Sequence, residues 1–133
     1  SSVHELQSPY SMSKYACELI APDNVVVMRF FTVWGEQNYR TDMLYGLAMN
    51  NQLNYITNHK RDFTHVYDVC RAVKILIEKG IGGETYEVGY GRPITNQAFL
   101  KKIGYNKKLP TKEVTGESLI TCADPTKMKE LGW

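Results

Sequence analysis

Tyr10 and Lys14 stand four residues apart in the segment Ser8-Pro9-Tyr10-Ser11-Met12-Ser13-Lys14. On a helix that spacing puts both side chains on one face. An ammonium beside a phenol favours the phenolate, so the pair has the makings of a general base for a hydroxyl proton. Tyrosine and lysine four apart are also ordinary helix neighbours, and the spacing alone does not choose between these readings. The other reactive side chains are scattered. Cys17, Cys70 and Cys122 form no C-x-x-C pair, and His4, His59 and His65 lie at no zinc-ligand spacing from any of them, so no metal site is expected. An odd number of cysteines fits a reducing compartment, with all three expected as small core residues. His65, next to an apolar helical stripe, reads as structural.

The elements that must carry these residues follow from local signals. Ser8 as cap and Pro9 at the first helical position start a helix expected to run from about Pro9 to Ile20. Pro22-Asp23-Asn24 breaks it. Asn24–Phe30 is a continuous apolar run rich in β-branched residues, as in a strand buried on both faces. Helical spacing returns at Met43, Leu44, Leu47 and Ala48, and a short strand is expected at Asn54–Thr57. The clearest helix covers about Val66–Glu78, with Val66, Val69, Cys70, Val73, Leu76 and Ile77 as its apolar stripe. Gly80, Gly82 and Gly83 end it. Glu84–Gly89 alternates as a strand, Thr95 caps a further helix, and Asp124-Pro125 opens a short one carrying Met128 and Leu131. Strands alternating with helices mean an α/β fold.

Composition narrows the class. The chain has 133 residues, 16 Lys plus Arg against 14 Asp plus Glu, and a formal charge of +2. That charge is too small, and too evenly spread, to argue for a nucleic-acid partner. No apolar run approaches the ~20 residues that span a bilayer, and Ser1–Tyr10 has none of the basic and apolar character of a signal region. A cytoplasmic location is the expectation, without membrane association.

Five blocks then carry a resemblance. Ser8-Pro9-Tyr10-x-x-Ser13-Lys14 with Glu18 resembles S-P-Y-x-x-S-K-x-x-x-E. Arg29-Phe30-Phe31-Thr32-Val33-Trp34-Gly35 resembles R-x-x-N/T-V-Y-G, and Arg61-Asp62-Phe63-Thr64-His65-Val66-Tyr67-Asp68-Val69 resembles R-D-F-x-x-V-x-D-V. Tyr86-Glu87-Val88-Gly89 before Gly91-Arg92-Pro93 resembles Y-N-I-G-x-G-R-P, and Ala123-Asp124-Pro125-Thr126-Lys127 with Leu131-Gly132-Trp133 resembles A-D-x-S-K…L-G-W. In this order, over nearly the whole chain, they resemble extended short-chain dehydrogenase/reductases of the NAD-dependent epimerase/dehydratase family. Arg40-Thr41-Asp42-Met43 after the Thr32 block is most similar to the UDP-glucuronate 4-epimerases within it.

The resemblance implies a partial Rossmann-like fold lacking its N-terminal dinucleotide-binding half, plus a small C-terminal α/β region for substrate. Residues 1–35 would be the remnant of the Rossmann-like part, and residues 36–133 the substrate-binding part. It implies NAD as cofactor and a UDP-sugar as substrate. Tyr10 would take the proton of a sugar hydroxyl while C4 gives hydride to NAD, and Lys14 would assist it and hold the nicotinamide ribose. Thr32, Arg40 and Arg61 would bind substrate: Arg61 at the diphosphate, where its fixed fork of donors suits the oxygens, Arg40 at a carboxylate, Thr32 at the sugar or its phosphates. The plainer readings are a surface pair for Arg61-Asp62, a solvated loop arginine for Arg40 and loop backbone for Thr32. Ser2 would stand for the Ser/Thr that polarises the 4-hydroxyl.

Two features depart from the pattern. No G-x-x-G-x-x-G follows a strand in these residues, although that loop normally cradles the cofactor pyrophosphate. That leaves open a non-catalytic UDP-sugar-binding or partner-binding role. The Asp-Glu pair of 4,6-dehydratases has no counterpart near Val3, and Glu5 is poorly placed for it. An apolar strand at Val25–Phe30 with few partners is expected to drive homodimerisation or association with another chain.

Overall fold

The computed structural model describes residues 8–115 and 119–133. Helix α1 (Pro9–Ile20) begins where Ser8 Oγ accepts the Ser11 N–H at 3.1 Å and Pro9 takes the first helical position. Strands β1 (Val27–Phe30) and β2 (Thr32–Trp34) follow, then α2 (Leu44–Met49), β3 (Ile56–Thr57), β4 (Lys60–Arg61) and β5 (Phe63–His65). Next come α3 (Val66–Lys79), β6 (Thr85–Val88), β7 (Ile94–Thr95), α4 (Asn96–Lys102), β8 (Thr111–Lys112) and α5 (Thr126–Glu130).

The strands pair two by two. β1 runs parallel to β6, with Val27 opposite Thr85, and β2 runs parallel to β5, with Thr32 opposite Phe63. β3 is parallel to β8, while β4 is antiparallel to β7. The β1–β6 connection passes through α3, as a parallel pair requires a crossover. The expected strand at Asn24–Phe30 is shorter than the apolar run and is not buried on both faces. Val26 and Met28 pack on the core around α3, whereas Arg29, pointing to the opposite face, meets α1 through Glu18; Phe30 is 44% exposed. Among the described residues β6 is the sole strand beside β1.

Two clusters form the interior. The first joins Val69, Ala72 and Leu76 of α3 to Tyr86 and Val88 of β6 and Met128 of α5, with Trp133 against it. The second joins Ala48, Leu53, Ile56 and Leu100. Complete burial of Met128 and Phe99 contributes roughly 1.5–3 kcal/mol each. The stripe of α3 is turned by about one position from the sequence expectation: Ala72 is fully buried, while Cys70 and Ile77 face outward, Ile77 at 81% exposure. Small Ala72 lets the helix sit close on the strands, and that contact, rather than the bulk of Ile77, sets its rotation. The cysteines correct a second expectation, since all three are exposed.

α3 starts at His65, whose Nδ1 accepts the Tyr67 N–H at 3.1 Å. Thr95 caps α4 by accepting from Ala98 N at 3.0 Å. At α5 Pro125 itself occupies the cap position, and Asp124 one residue earlier accepts from Thr126 N and Oγ1 at 3.1 and 2.6 Å.

Candidate active site

α1 presents Tyr10 and Lys14 on one face, with the Lys14 ammonium 5.7 Å from the centroid of the Tyr10 ring. No residue of α1 is buried, and Tyr10 is 69% exposed. What holds the helix is an ion pair at its far end. The Arg29 guanidinium on β1 donates from Nε and Nη2 to the Glu18 carboxylate at 2.9 and 2.6 Å, and Glu87 of β6 lies 3.6 Å from its Nη1. The hydrogen bond to Glu18 leads the effects that raise the Arg29 guanidinium above its ordinary value, with burial opposing. From Glu18 back to Tyr10 is about 12 Å of helix, and from Arg29 forward to Thr32 is about 10 Å of strand.

Thr32 opens β2, and its N–H donates to the carbonyl of Asp62 at 3.2 Å. Arg61 ends β4 just before Asp62, so the β2–β5 pairing brings Thr32 and Arg61 to neighbouring positions. The Arg61 guanidinium donates to the Lys60 and Leu119 carbonyls at 3.1 and 3.4 Å. Arg40 lies in the loop before α2 and is mostly exposed. Its Nε and Nη2 donate to the Asp42 carboxylate at 3.0 and 2.6 Å. These bonds, then the Asp42 charge, raise the guanidinium above its usual range, and the Tyr10 phenol adds to the effect. Asp42 is pushed below the carboxylate range chiefly by the same hydrogen bonds. Ser2 lies outside the described residues.

Asp62 is not one half of a surface pair. It is fully buried, and its two carboxylate oxygens accept the backbone N–H groups of Tyr90, Gly91 and Ala123 at 3.0, 2.7 and 3.1 Å. One side chain thereby pins two loops to its own, next to Arg61 in the chain. Room for it depends on Gly89, where a Cβ would stand 2.9 Å from Asp62 Oδ2 and 2.6 Å from the Ala123 methyl. Only the fold reveals which N–H groups need an acceptor, because Gly91 and Ala123 are remote from Asp62 in the chain.

Two further supports stand out. His65 Nδ1 accepts from Tyr67, so its Nε2 carries the proton and donates to Glu36 at 2.5 Å. This ties the loop after β2, which leads to Arg40, to the start of α3. Tyr90 donates its hydroxyl to Asp68 and accepts the His65 N–H at 3.1 Å. Burial first, and then the hydrogen bond to Asp68, push its phenol above the ordinary tyrosine value.

Residues 2–89 match the profile of the NAD dependent epimerase/dehydratase family. The chain belongs to that family. A dTDP-glucose 4,6-dehydratase of Streptomyces niveus is 28% identical over 147 aligned residues, which take in 95% of this chain and 44% of the relative. The structure of a UDP-glucose 4-epimerase from Thermotoga maritima, solved with UDP-glucose, superimposes with a TM-score of 0.75 at 29% identity, covering 95% of this chain and 48% of that one. A UDP-glucuronic acid 4-epimerase from Bacillus cereus, in complex with UDP-glucuronic acid and NAD, gives 0.72 at 25% identity over 94% and 46%. The chain thus spans about half the length of the relatives it matches, and its mixed α/β architecture corresponds to part of their fold.

Fit to the family's dinucleotide is one-sided. A phenol and an ammonium on one exposed helix face can donate to ribose hydroxyls, which fits the nicotinamide end, and Tyr10 and Lys14 would hold it there. The pyrophosphate end has no matching cradle among the described residues: Gly91, with φ of 76°, follows β6 but leads into β7 and opens no helix.

Proposed function

We propose that the protein is an NAD-dependent nucleotide-sugar epimerase that inverts C4 of UDP-glucuronate, with this chain supplying the acid–base and substrate-contacting residues. The observation that carries the reading is the position of Tyr10, beside Lys14 on one open helix face. NAD, when bound, would supply the redox chemistry by accepting the C4 hydrogen as hydride and returning it to the opposite face. Tyr10 accepts the 4-hydroxyl proton as the C4 ketone forms and returns it to the inverted alcohol, so protons balance over the cycle. Lys14 supports the phenolate and holds the ribose. Thr32 hydrogen-bonds the sugar or its phosphates, and Arg61 offers its fork to the diphosphate. Arg40 has five N–H donors; Asp42 takes the one on Nε and one of the two on Nη2, leaving the Nη1 edge for the sugar carboxylate. Ser2 would polarise the 4-hydroxyl. On this reading residues 1–35 supply the acid–base pair and residues 36–133 the two arginines.

In the full-length protein supplied with NAD and UDP-glucuronate, Tyr10→Phe should lower kcat about 10²–10⁴-fold with the fold intact. Unchanged turnover would remove Tyr10 from the mechanism. The 28% identity to a 4,6-dehydratase favours a second reading, loss of water from a dTDP- or UDP-hexose. A 4-keto-6-deoxy product from the same assay would select it. Neither product, with UDP-sugar still bound, would select the non-catalytic role. The single-neighboured β1 also supports association of the chain with a second copy or another chain; a clean monomer by light scattering at micromolar concentration would refute this.

A further inference from the structure

A cleft of about 680 Å³ lies against the backbone that Asp62 holds in place, and none of Tyr10, Lys14, Thr32, Arg40 or Arg61 lines it. Its aromatic wall is Tyr90 and Trp133, whose rings stack at 16° with centroids 6.2 Å apart. Both rings are fixed from behind: Trp133 Nε1–H donates to the Asp68 carbonyl at 2.8 Å, and the Tyr90 hydroxyl bridges Asp68 and the His65 N–H. Two guanidinium groups lie over these rings, Arg92 at 5.7 Å from Tyr90 and Arg71 at 5.9 Å from Trp133. Lys129 also lines the cleft. Arg71 has Asp68 at 3.5 Å, but no carboxylate among the described residues lies within ion-pair distance of Arg92 or Lys129. The lining also holds one carboxylate, Asp124, which accepts from Thr126 N and Oγ1 and is held below the usual carboxylate range by those bonds, so it stays charged.

Arg92 and Lys129 outnumber the single Asp124 carboxylate beside a hydrogen-bonded aromatic wall, which calls for an anionic ligand with a flat part. A carboxylate carries one charge, whereas a phosphomonoester carries roughly −1.5 to −2 at pH 7. The volume falls within the roughly 300–1,000 Å³ of small-molecule sites and is too small for a folded partner. We propose that this cleft binds a small phosphomonoester bearing a flat ring, with the ring against Tyr90 and Trp133 and the phosphate at Arg92 and Lys129. The site is separate from the proposed catalytic one and does not depend on that reading.

Phenyl phosphate is the minimal probe, titrated into the ¹⁵N-labelled protein while the indole N–H signals of Trp133 and Trp34 are followed. The Trp133 signal should move and the Trp34 signal should not. Arg92→Ala and Lys129→Ala, both at exposed positions, should each weaken binding about tenfold, while Arg61→Ala leaves it unchanged. Phenol alone should bind far more weakly, and inorganic phosphate should compete. Any of three results would overturn the proposal: no shift at millimolar probe, equal affinity in the Arg92 and Lys129 variants, or loss of binding in Arg61→Ala alone, which would place the probe at the diphosphate position.

Discussion

Asp62 and α1 handle polar groups in opposite ways. Asp62 is fully enclosed and accepts three backbone N–H groups, so the loops at residues 61–65, 89–92 and 121–124 form one rigid block. α1 buries none of its twelve residues and is held to the sheet by the Glu18–Arg29 pair. The side chains that hold the scaffold are spent on internal partners, and Tyr10 and Lys14 are left facing outward. A group that must exchange protons with a substrate needs that openness, and a group that positions loops needs its absence.

The sharpest way to break this contrast is Asp62→Ala. It strands three N–H groups, that of Ala123 buried and those of Tyr90 and Gly91 half-buried, and should cost about 3–5 kcal/mol, read as a lower midpoint in urea unfolding. A loss below about 1 kcal/mol would mean the loops hold themselves. Gly89→Ala keeps the carboxylate but forces a methyl against Asp62 and Ala123; a loss of about 1–3 kcal/mol is expected from the overpacking. Tyr90→Phe removes two hydrogen bonds at the rim of the same block and should cost about 1–2 kcal/mol. It also has a pH signature. The Tyr90 phenol is raised in the folded state, so its contribution is complete below pH ~10 and fades as pH rises through the folded value. Wild type should therefore lose more stability than the Phe variant as pH is raised above ~10. The smallest effect belongs to α1. Arg29→Ala should cost about 1 kcal/mol, and circular dichroism should register it as loss of α1 helix with the core transition preserved. Coincident loss of both would show that α1 belongs to the block after all.

How much of this could be read from the chain depended on distance along it. Ser8-Pro9 and Thr95 act within a single helical turn, and the helices they cap start at the expected residues. The pairing of Tyr10 with Lys14 is equally local. The outward turn of Cys70 and Ile77 was hidden because periodicity gives a stripe but not its rotation, which Ala72 sets through contact with strands elsewhere. β4, β7 and β8 have two residues each, too short to show alternation, and exist through partners far away. Burial of Asp62 was invisible for the same reason: its three donors come from two other loops. The resemblance likewise offered Arg40 as the arginine that meets a substrate carboxylate, while the Asp42 carboxylate two residues on already takes two of its N–H donors.

The parallel pairings have a kinetic side. Val27 must find Thr85, and Ile56 must find Thr111, before either sheet exists. Contacts so remote in sequence repay the entropy of closing their loops only late, which makes such topologies slow to form. α1 and α3 can assemble from local contacts long before β1 meets β6. During that interval the Val25–Phe30 edge is open to any neighbouring chain, so yield on refolding should fall as protein concentration rises.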